Sequence, residues 1–246
     1  MLTLFMHLDS ANHVFKPGKK VSQVKSSEVC YNYLVLWPCL YAAINGMTTS
    51  TFGDMEFSPD RLAVAKVRAL RNQTELQHKA DGVVYTENLH MELLFLETTG
   101  HHSLSDRPRA CWDHVKGMNG VLAMLARIAY AFPHGSVEDF KNVKVAFIHA
   151  RGDYLHLWTV SMPSPGIYVM QRVIKALVRF SLGNASSRLS HQFLLDGQSR
   201  RIITVEISNM IDALEKLKKT HVANELAIML KWDLSSQSFE TCGEYP

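Results

Sequence analysis

From Met91 to Thr99 the chain reads MELLFLETT, and an extended backbone sends these side chains alternately to two faces. Leu93, Phe95, Glu97 and Thr99 share one face, while Glu92, Leu94, Leu96 and Thr98 share the other. The run GVVYTE (82–87) before it has the same character, and Asn88-Leu89-His90 between them reads as a turn. The pattern therefore predicts a pair of antiparallel strands. Three more strands are predicted over VKVAFIHA (143–150), YLHLWTVSM (154–162) and GIYVMQRV (166–173), joined by turns at RGD and PSPG.

Other segments follow helical spacing. SEVCYNYLVLWPCLYAAING, opened by Ser27 and Glu28, predicts a buried helix kinked at Pro38 and ended by Gly46. FGDMEFSPD (52–60) reads as a turn, with Ser58 as cap and Pro59 as the first residue of a helix carrying Leu62, Val64, Val67 and Leu70 as its apolar stripe. A second long helix is predicted from Asp106 to Phe132. Trp112, Val115, Leu122, Leu125 and Ile128 are its expected inward stripe, and Trp112 and Trp158 are both expected in the core. Asp113, Lys116, Gly117 and Gly120 fall on its opposite face, where two glycines permit close approach of a strand, a ligand backbone or another helix. Near the C-terminus Ile203, Ile207, Met210, Ile211, Leu214 and Leu217 make one helical face, expected to pack on the domain.

The order predicts a mixed α/β (α+β) fold: a short mixed sheet covered by helices, with a helical C-terminal tail. Residues 1–26, which include the basic run FKPGKK, are expected as an irregular arm. Residues 27–180 are expected to form the core domain and 181–246 a helical extension packed on it. There is no regular βαβ alternation, and GxGxxG, Walker and GxSxG sequences are absent, which disfavours Rossmann, P-loop and serine-hydrolase readings.

Composition changes this picture little. A hydrophobic fraction of 47% and a charged fraction of 20% fit a globular chain, and 26 basic against 23 acidic residues leave a net charge of only +3. That field neither requires nor forbids a nucleic-acid partner. Cys30, Cys39, Cys111 and Cys242 are scattered with no CxxC pair, which argues against a cysteine zinc site and fits a reducing compartment. The longest apolar run, YLVLWPCLYAAI, is short for a membrane span. An intracellular protein, cytoplasmic or nuclear and neither secreted nor membrane-bound, is expected.

The candidate chemistry lies in the strand pair. Asp81 stands at the mouth of the first strand and Glu97 near the end of the second, so a hairpin brings the two carboxylates to one end of the sheet. Two such acids can share Mg²⁺, which prefers carboxylate oxygen and keeps several waters. The plain alternative is that Asp81 serves an ADG turn and Glu97 pairs with a nearby lysine or arginine. His101 and His102 follow directly after the Glu97 strand, while His149 and His156 read as packed strand residues.

A helix, an acid and then E-x-x on two strands, a further helix and further strands together resemble the restriction-endonuclease-like, or PD-(D/E)XK, superfamily. That resemblance implies Asp81 and Glu97 as metal-binding acids in Mg²⁺-dependent phosphodiester hydrolysis. The family's catalytic lysine falls on Thr99, which would position water, and Lys116 on the second helix would replace the missing cation. A degenerate descendant would instead bind nucleic acid, or a protein through the C-terminal amphipathic helix. Separately, FKPGKK, KADGVV, ELLFLETTG, DHVKGMNGVLAML, KVAFIHARGDYLHLW and GIYV resemble a family of uncharacterised multi-copy proteins from mucoralean fungi, over Phe15 to Phe180. That likeness implies kinship and no activity.

Overall fold

A computed structural model describes residues 20–50, 52–59, 62–63, 78–180, 193–194 and 196–240. After a short helix α1 (Lys20–Val24), the apolar segment forms one helical rod, α2, in three sections: Glu28–Tyr31, Asn32–Leu36 and Trp37–Ile44. Ser27 caps it by accepting from the Cys30 amide. The middle section is π-helical, and this widened turn precedes Pro38, which has no amide to donate. The anticipated kink therefore takes the form of a looser turn.

The strands are β1 (Thr48–Thr49), β2 (Gly53–Pro59), β3 (Leu62–Ala63), β4 (His78–Lys79), β5 (Gly82–Thr86), β6 (Glu92–Thr99), β7 (Lys144–Arg151), β8 (Tyr154–Ser164), β9 (Ile167–Leu177), β10 (Arg179–Phe180) and β11 (Phe193–Leu194). Seven of them make one sheet in the order β1-β2-β5-β6-β7-β8-β9, and two small ladders pair β3 with β4 and β10 with β11. Only β6 and β7 run parallel; the other neighbours are antiparallel. The helix α3 (Arg107–Ala131) makes the parallel crossover, followed by the single turn α4 (Val137–Phe140), and α5 (Gly197–Glu240) ends the fold. The mixed α/β architecture is as the pattern implies.

One segment departs from expectation. Residues 53–59 are strand β2, not a turn leading into a helix. Met55 and Phe57 alternate into the core, and the ladder to β5 pairs Glu56 with Tyr85. β5 is buried along most of its length and needs a neighbour on that side, which outweighs the local Ser-Pro-Asp helix signal. Pro59 closes the strand, where a missing amide is tolerated. Leu62–Ala63 is extended, so the helix does not start at Pro59, and its positions 64–77 lie outside the described residues.

The sheet is covered on both sides. Thr98 donates to the Asn32 side chain of α2 (2.7 Å), and Thr204 of α5 donates to the Ala43 carbonyl (2.9 Å). Thus α2 and α5 share the Leu94–Leu96–Thr98 side. Ile203, Ile207, Met210, Ile211, Leu214 and Leu217 are all buried, so the C-terminal stripe packs on the domain. Among the described residues no helix is long and apolar enough to cross a membrane.

The other side, bearing Phe95, Glu97 and Thr99, is covered by α3, and here the expected stripe holds at Leu125 and Ile128 but not at Trp112 and Val115, which face outward. Trp112 is 72% and Val115 50% exposed, whereas Asp113, Gly117, Gly120, Val121, Met124, Leu125 and Ile128 are buried. The glycine face is the inward one because the sheet presents two phenylalanines there. A Cβ on Gly117 would stand 2.1 Å from the Phe147 ring, and one on Gly120 would stand 3.0 Å from Phe95. The rings fill the volume that larger helix residues would need.

Gly117→Ala should therefore destabilise the fold by about 1–3 kcal/mol through overpacking, despite alanine's better helix propensity. Gly120→Ala should cost less. Urea denaturation of both variants checks the order, and a stabilised Gly117→Ala protein would refute this close packing.

Candidate functional site

The hairpin register sets the site. Gly82 pairs with Leu96 and the Asp81 amide donates to the Leu96 carbonyl (3.0 Å), so Asp81 lies beside Glu97 at the end of the β5–β6 ladder. Asp81 Oδ2 accepts from the Thr98 amide at 2.7 Å, and its carbonyl accepts from the Trp37 indole at 2.8 Å. Asp81 is thus tied both to β6 and to α2.

Glu97 is only 2% exposed. Because Gly117 brings α3 close, Lys116 reaches it: Nζ lies 2.8 Å from Oε1 and 2.8 Å from Oε2, with hydrogen-bond geometry to Oε2. Burial pushes the Glu97 carboxyl up to about 8; the Lys116 ammonium opposes that rise, and the negative charges of Asp81 and Asp113 add to it. Two further carboxylates thus act on Glu97, whose adjoining cation is Lys116.

Thr99 is buried one pleat further along. Its hydroxyl lies 2.8 Å from Asp113 Oδ2 and 2.8 Å from His149 Nε2. Donating to the carboxylate leaves the oxygen to accept, which assigns the Nε2–H tautomer to His149. Burial, followed by the charge of Arg151, holds the His149 imidazole down to about 3, so it is neutral at ordinary pH. It packs against both His114 of α3 and Phe147, the three ring centres lying 5.6–5.7 Å from one another.

Glu28 closes the outer side. Its Oε2 accepts from the Gly100 amide at 2.8 Å and from Arg109 Nη2 at 2.5 Å, while Arg109 Nε stands 3.8 Å from Asp113 Oδ2. A chain Glu28–Arg109–Asp113–Thr99–His149 therefore links α2, α3, β6 and β7. Sequence reasoning singled out neither Glu28 nor Arg109 for this place, and their separation of 81 positions offers no spacing signal. His102 is buried edge-on to Tyr31, its Nε2 3.3 Å from the Val178 carbonyl, and His101 Nδ1 contacts the His102 carbonyl, so both tie down the loop after β6.

Among the described residues no group of three or more His, Cys, Asp or Glu side chains is arranged to hold a metal ion together. Any Mg²⁺ would have to rely on Asp81 and Glu97 with water completing its shell, a donor set that suits this ion. Cys30, Cys39 and Cys111 are free thiols, and Cys242 lies outside the described residues. No family model matches the chain, and no curated protein or solved structure is significantly similar to it.

The raised Glu97 carboxyl has a thermodynamic consequence. Its folded value near 8 exceeds the unfolded value near 4.5, so the folded state holds the proton more tightly. Its stabilising effect is complete below the unfolded value and is lost as pH rises to the folded one. Wild type should lose stability relative to Glu97→Gln between about pH 5 and 8, by up to about 1.4 kcal/mol per pH unit, and the difference should level off above that. Urea titrations of both proteins across this range test it; parallel profiles would remove the proton from Glu97.

Proposed function

We propose that this chain is a PD-(D/E)XK-like domain that hydrolyses phosphodiester bonds with Mg²⁺, with Asp81 and Glu97 as the metal-binding acids. The observation that carries the reading is the excess of carboxylate charge on Glu97, flanked by Asp81 and Asp113 and met by Lys116 from the helix where a displaced catalytic lysine is expected. The order of elements supports it as well: helix α2, an acid just before β5 and one on β6, crossover helix α3, then β7. Bound Mg²⁺ would supply a sharpened water nucleophile and charge neutralisation on the phosphate.

The chain's own residues divide the remaining work. Asp81 and Glu97 offer oxygen ligands, and Glu97 must release its proton to do so. Lys116, a quarter exposed at its side chain, leaves Glu97 to contact a phosphate oxygen. Thr99, read from the superfamily pattern as the residue that positions water, holds Asp113 and His149 in this state. Cytoplasm or nucleus would be the setting, where nucleic acid is at hand.

One observation favours a second reading, that of a non-catalytic interaction module on the same fold. Lys116 already pairs with Glu97 at 2.8 Å, which offsets the charge of the buried acid without a metal, although Oε1 keeps no hydrogen-bond partner. On that reading the helical contact falls on the far half of α5, where Val222, Leu226, Met229 and Leu230 are exposed, because the earlier stripe is buried.

Isothermal titration with Mg²⁺ or Mn²⁺ separates the two. Wild type should bind, with affinity rising up to about tenfold per pH unit until pH 8 as the Glu97 proton is displaced. Asp81→Asn and Glu97→Ala should lose binding and cleavage of DNA or RNA together. Lys116→Ala should bind metal more tightly yet cleave poorly. Absence of binding heat in wild type would leave the interaction module.

A further inference from the structure

The row of side chains through Glu97 does not end at the acids. Register pairs Glu97 with His149, His149 with His156, and His156 with Lys175, so one line crosses β6, β7, β8 and β9 on the α3 side of the sheet. The neighbouring rows on that face add Arg151 opposite Tyr154, and Trp158 opposite Arg172. Lys175 Nζ sits 3.9 Å above the Tyr154 ring, and the Arg172 guanidinium 5.7 Å from the Trp158 ring centre. Arg151 Nε contacts His156 Nε2 at 3.4 Å.

Arg151, Arg172 and Lys175 are exposed, and none has a carboxylate partner among the described residues. The nearby acid, Asp153, is engaged by Ser103 and His102. The charge is felt: after burial, the cations Arg151, Lys175 and Arg172 are what hold the His156 imidazole down to about 4. A protein of nearly neutral total charge thus concentrates uncompensated positive charge on one half of one sheet face. α3 stands mainly over β6 and β7 and meets β8 where His114 lies edge-on to Trp158 at 5.1 Å. Among the described residues Arg151, Tyr154, Arg172 and Lys175 stay exposed around a half-buried Trp158 and a buried His156, along a strip two strands wide at about 5 Å per strand. Such a strip suits one extended chain better than a duplex.

We propose that the β8–β9 strip binds single-stranded nucleic acid, with Arg151, Arg172 and Lys175 on its phosphates and Tyr154 and Trp158 offering ring surfaces to its bases. Positive groove and interleaved aromatics are the combination that holds single strands without sequence readout. By register the strip leads to Glu97, which lies three strand spacings, about 14 Å, from Lys175. Delivery of the strand for cutting rests on the hydrolytic reading above; the binding does not.

The test is fluorescence anisotropy with labelled single-stranded DNA, single-stranded RNA and duplex DNA, in EDTA so that no cleavage intervenes. Wild type should bind both single strands more tightly than the duplex. Arg172→Glu/Lys175→Glu should weaken single-strand binding at least about tenfold and flatten the slope of log affinity against log salt by about 1.4, at 0.7 per lost phosphate contact. Lys219→Glu/Lys231→Glu makes the same charge change on exposed positions of α5 and should leave binding unchanged. No binding by wild type, equal losses in the two variants, or a preference for duplex would overturn the proposal. Binding without metal-dependent cleavage would remove the hydrolytic reading alone, and cleavage undiminished in Arg172→Glu/Lys175→Glu would remove this one alone.

Discussion

The depth to which α3 settles on the sheet controls most of what this molecule can do. Gly117 and Gly120 let the helix backbone rest on the rings of Phe147 and Phe95, with no room for a methyl group at the first position. Lys116 and Asp113 flank that contact, so the same approach that packs two phenylalanines also brings an ammonium onto Glu97 and a carboxylate onto Thr99. Larger residues in place of the glycines would lift the helix and part both polar pairs. Core packing and site geometry are here one constraint, since interiors at crystal-like density pass small displacements on to their neighbours.

The buried Glu97–Lys116 pair is poor evidence of stabilisation for its own sake. Taking both charges out of water costs about as much as their attraction returns, and an apolar pair of similar volume would often do as well. The cost is visible in the carboxyl, which burial drives far above its usual range in spite of the adjoining lysine. Two further acids nearby make the arrangement less favourable still. Asp81 and Asp113 add negative charge beside Glu97, with Lys116 on Glu97 and Arg109 3.8 Å from Asp113, and perturbed groups of this kind cluster at functional sites.

The amino-acid pattern made the frame legible wherever period and punctuation agreed. The β5–β6 hairpin, the three later strands with their RGD and PSPG turns, the start of α3 near Asp106 and the buried stripe of α5 all follow from alternation or helical spacing. It failed where tertiary demand overrode a local signal. Ser58-Pro59-Asp60 spells a helix start, yet β5 required a partner and took Met55 to Pro59 as a strand. It failed again on α3, where counting large apolar residues pointed Trp112 inward. The sheet already carried two large rings there, so small residues had to face them. The adjacency of Asp81 and Glu97 could be read from the hairpin, and Lys116 from its helix face. Glu28 and Arg109 could not, because no period links residues so far apart on different helices.

Register also explains how a chain with almost no net charge can carry a field. Each cross-strand row is a line of residues far apart in sequence, held about 5 Å apart by the ladder. Along the row from β5 to β9 the sign changes from the Asp81 and Glu97 acids, through neutral His149 and His156, to Lys175. The two histidines stay uncharged because burial and the nearby cations both oppose their protonation. They separate the opposite ends without cancelling either. A phosphate chain drawn along this line would meet cations first and the acids last, and an acid cluster admits a phosphate only with additional positive charge beside it. If the cationic strip gathers a polyanion as proposed, Lys116 or a divalent ion on Asp81 and Glu97 would have to complete the approach.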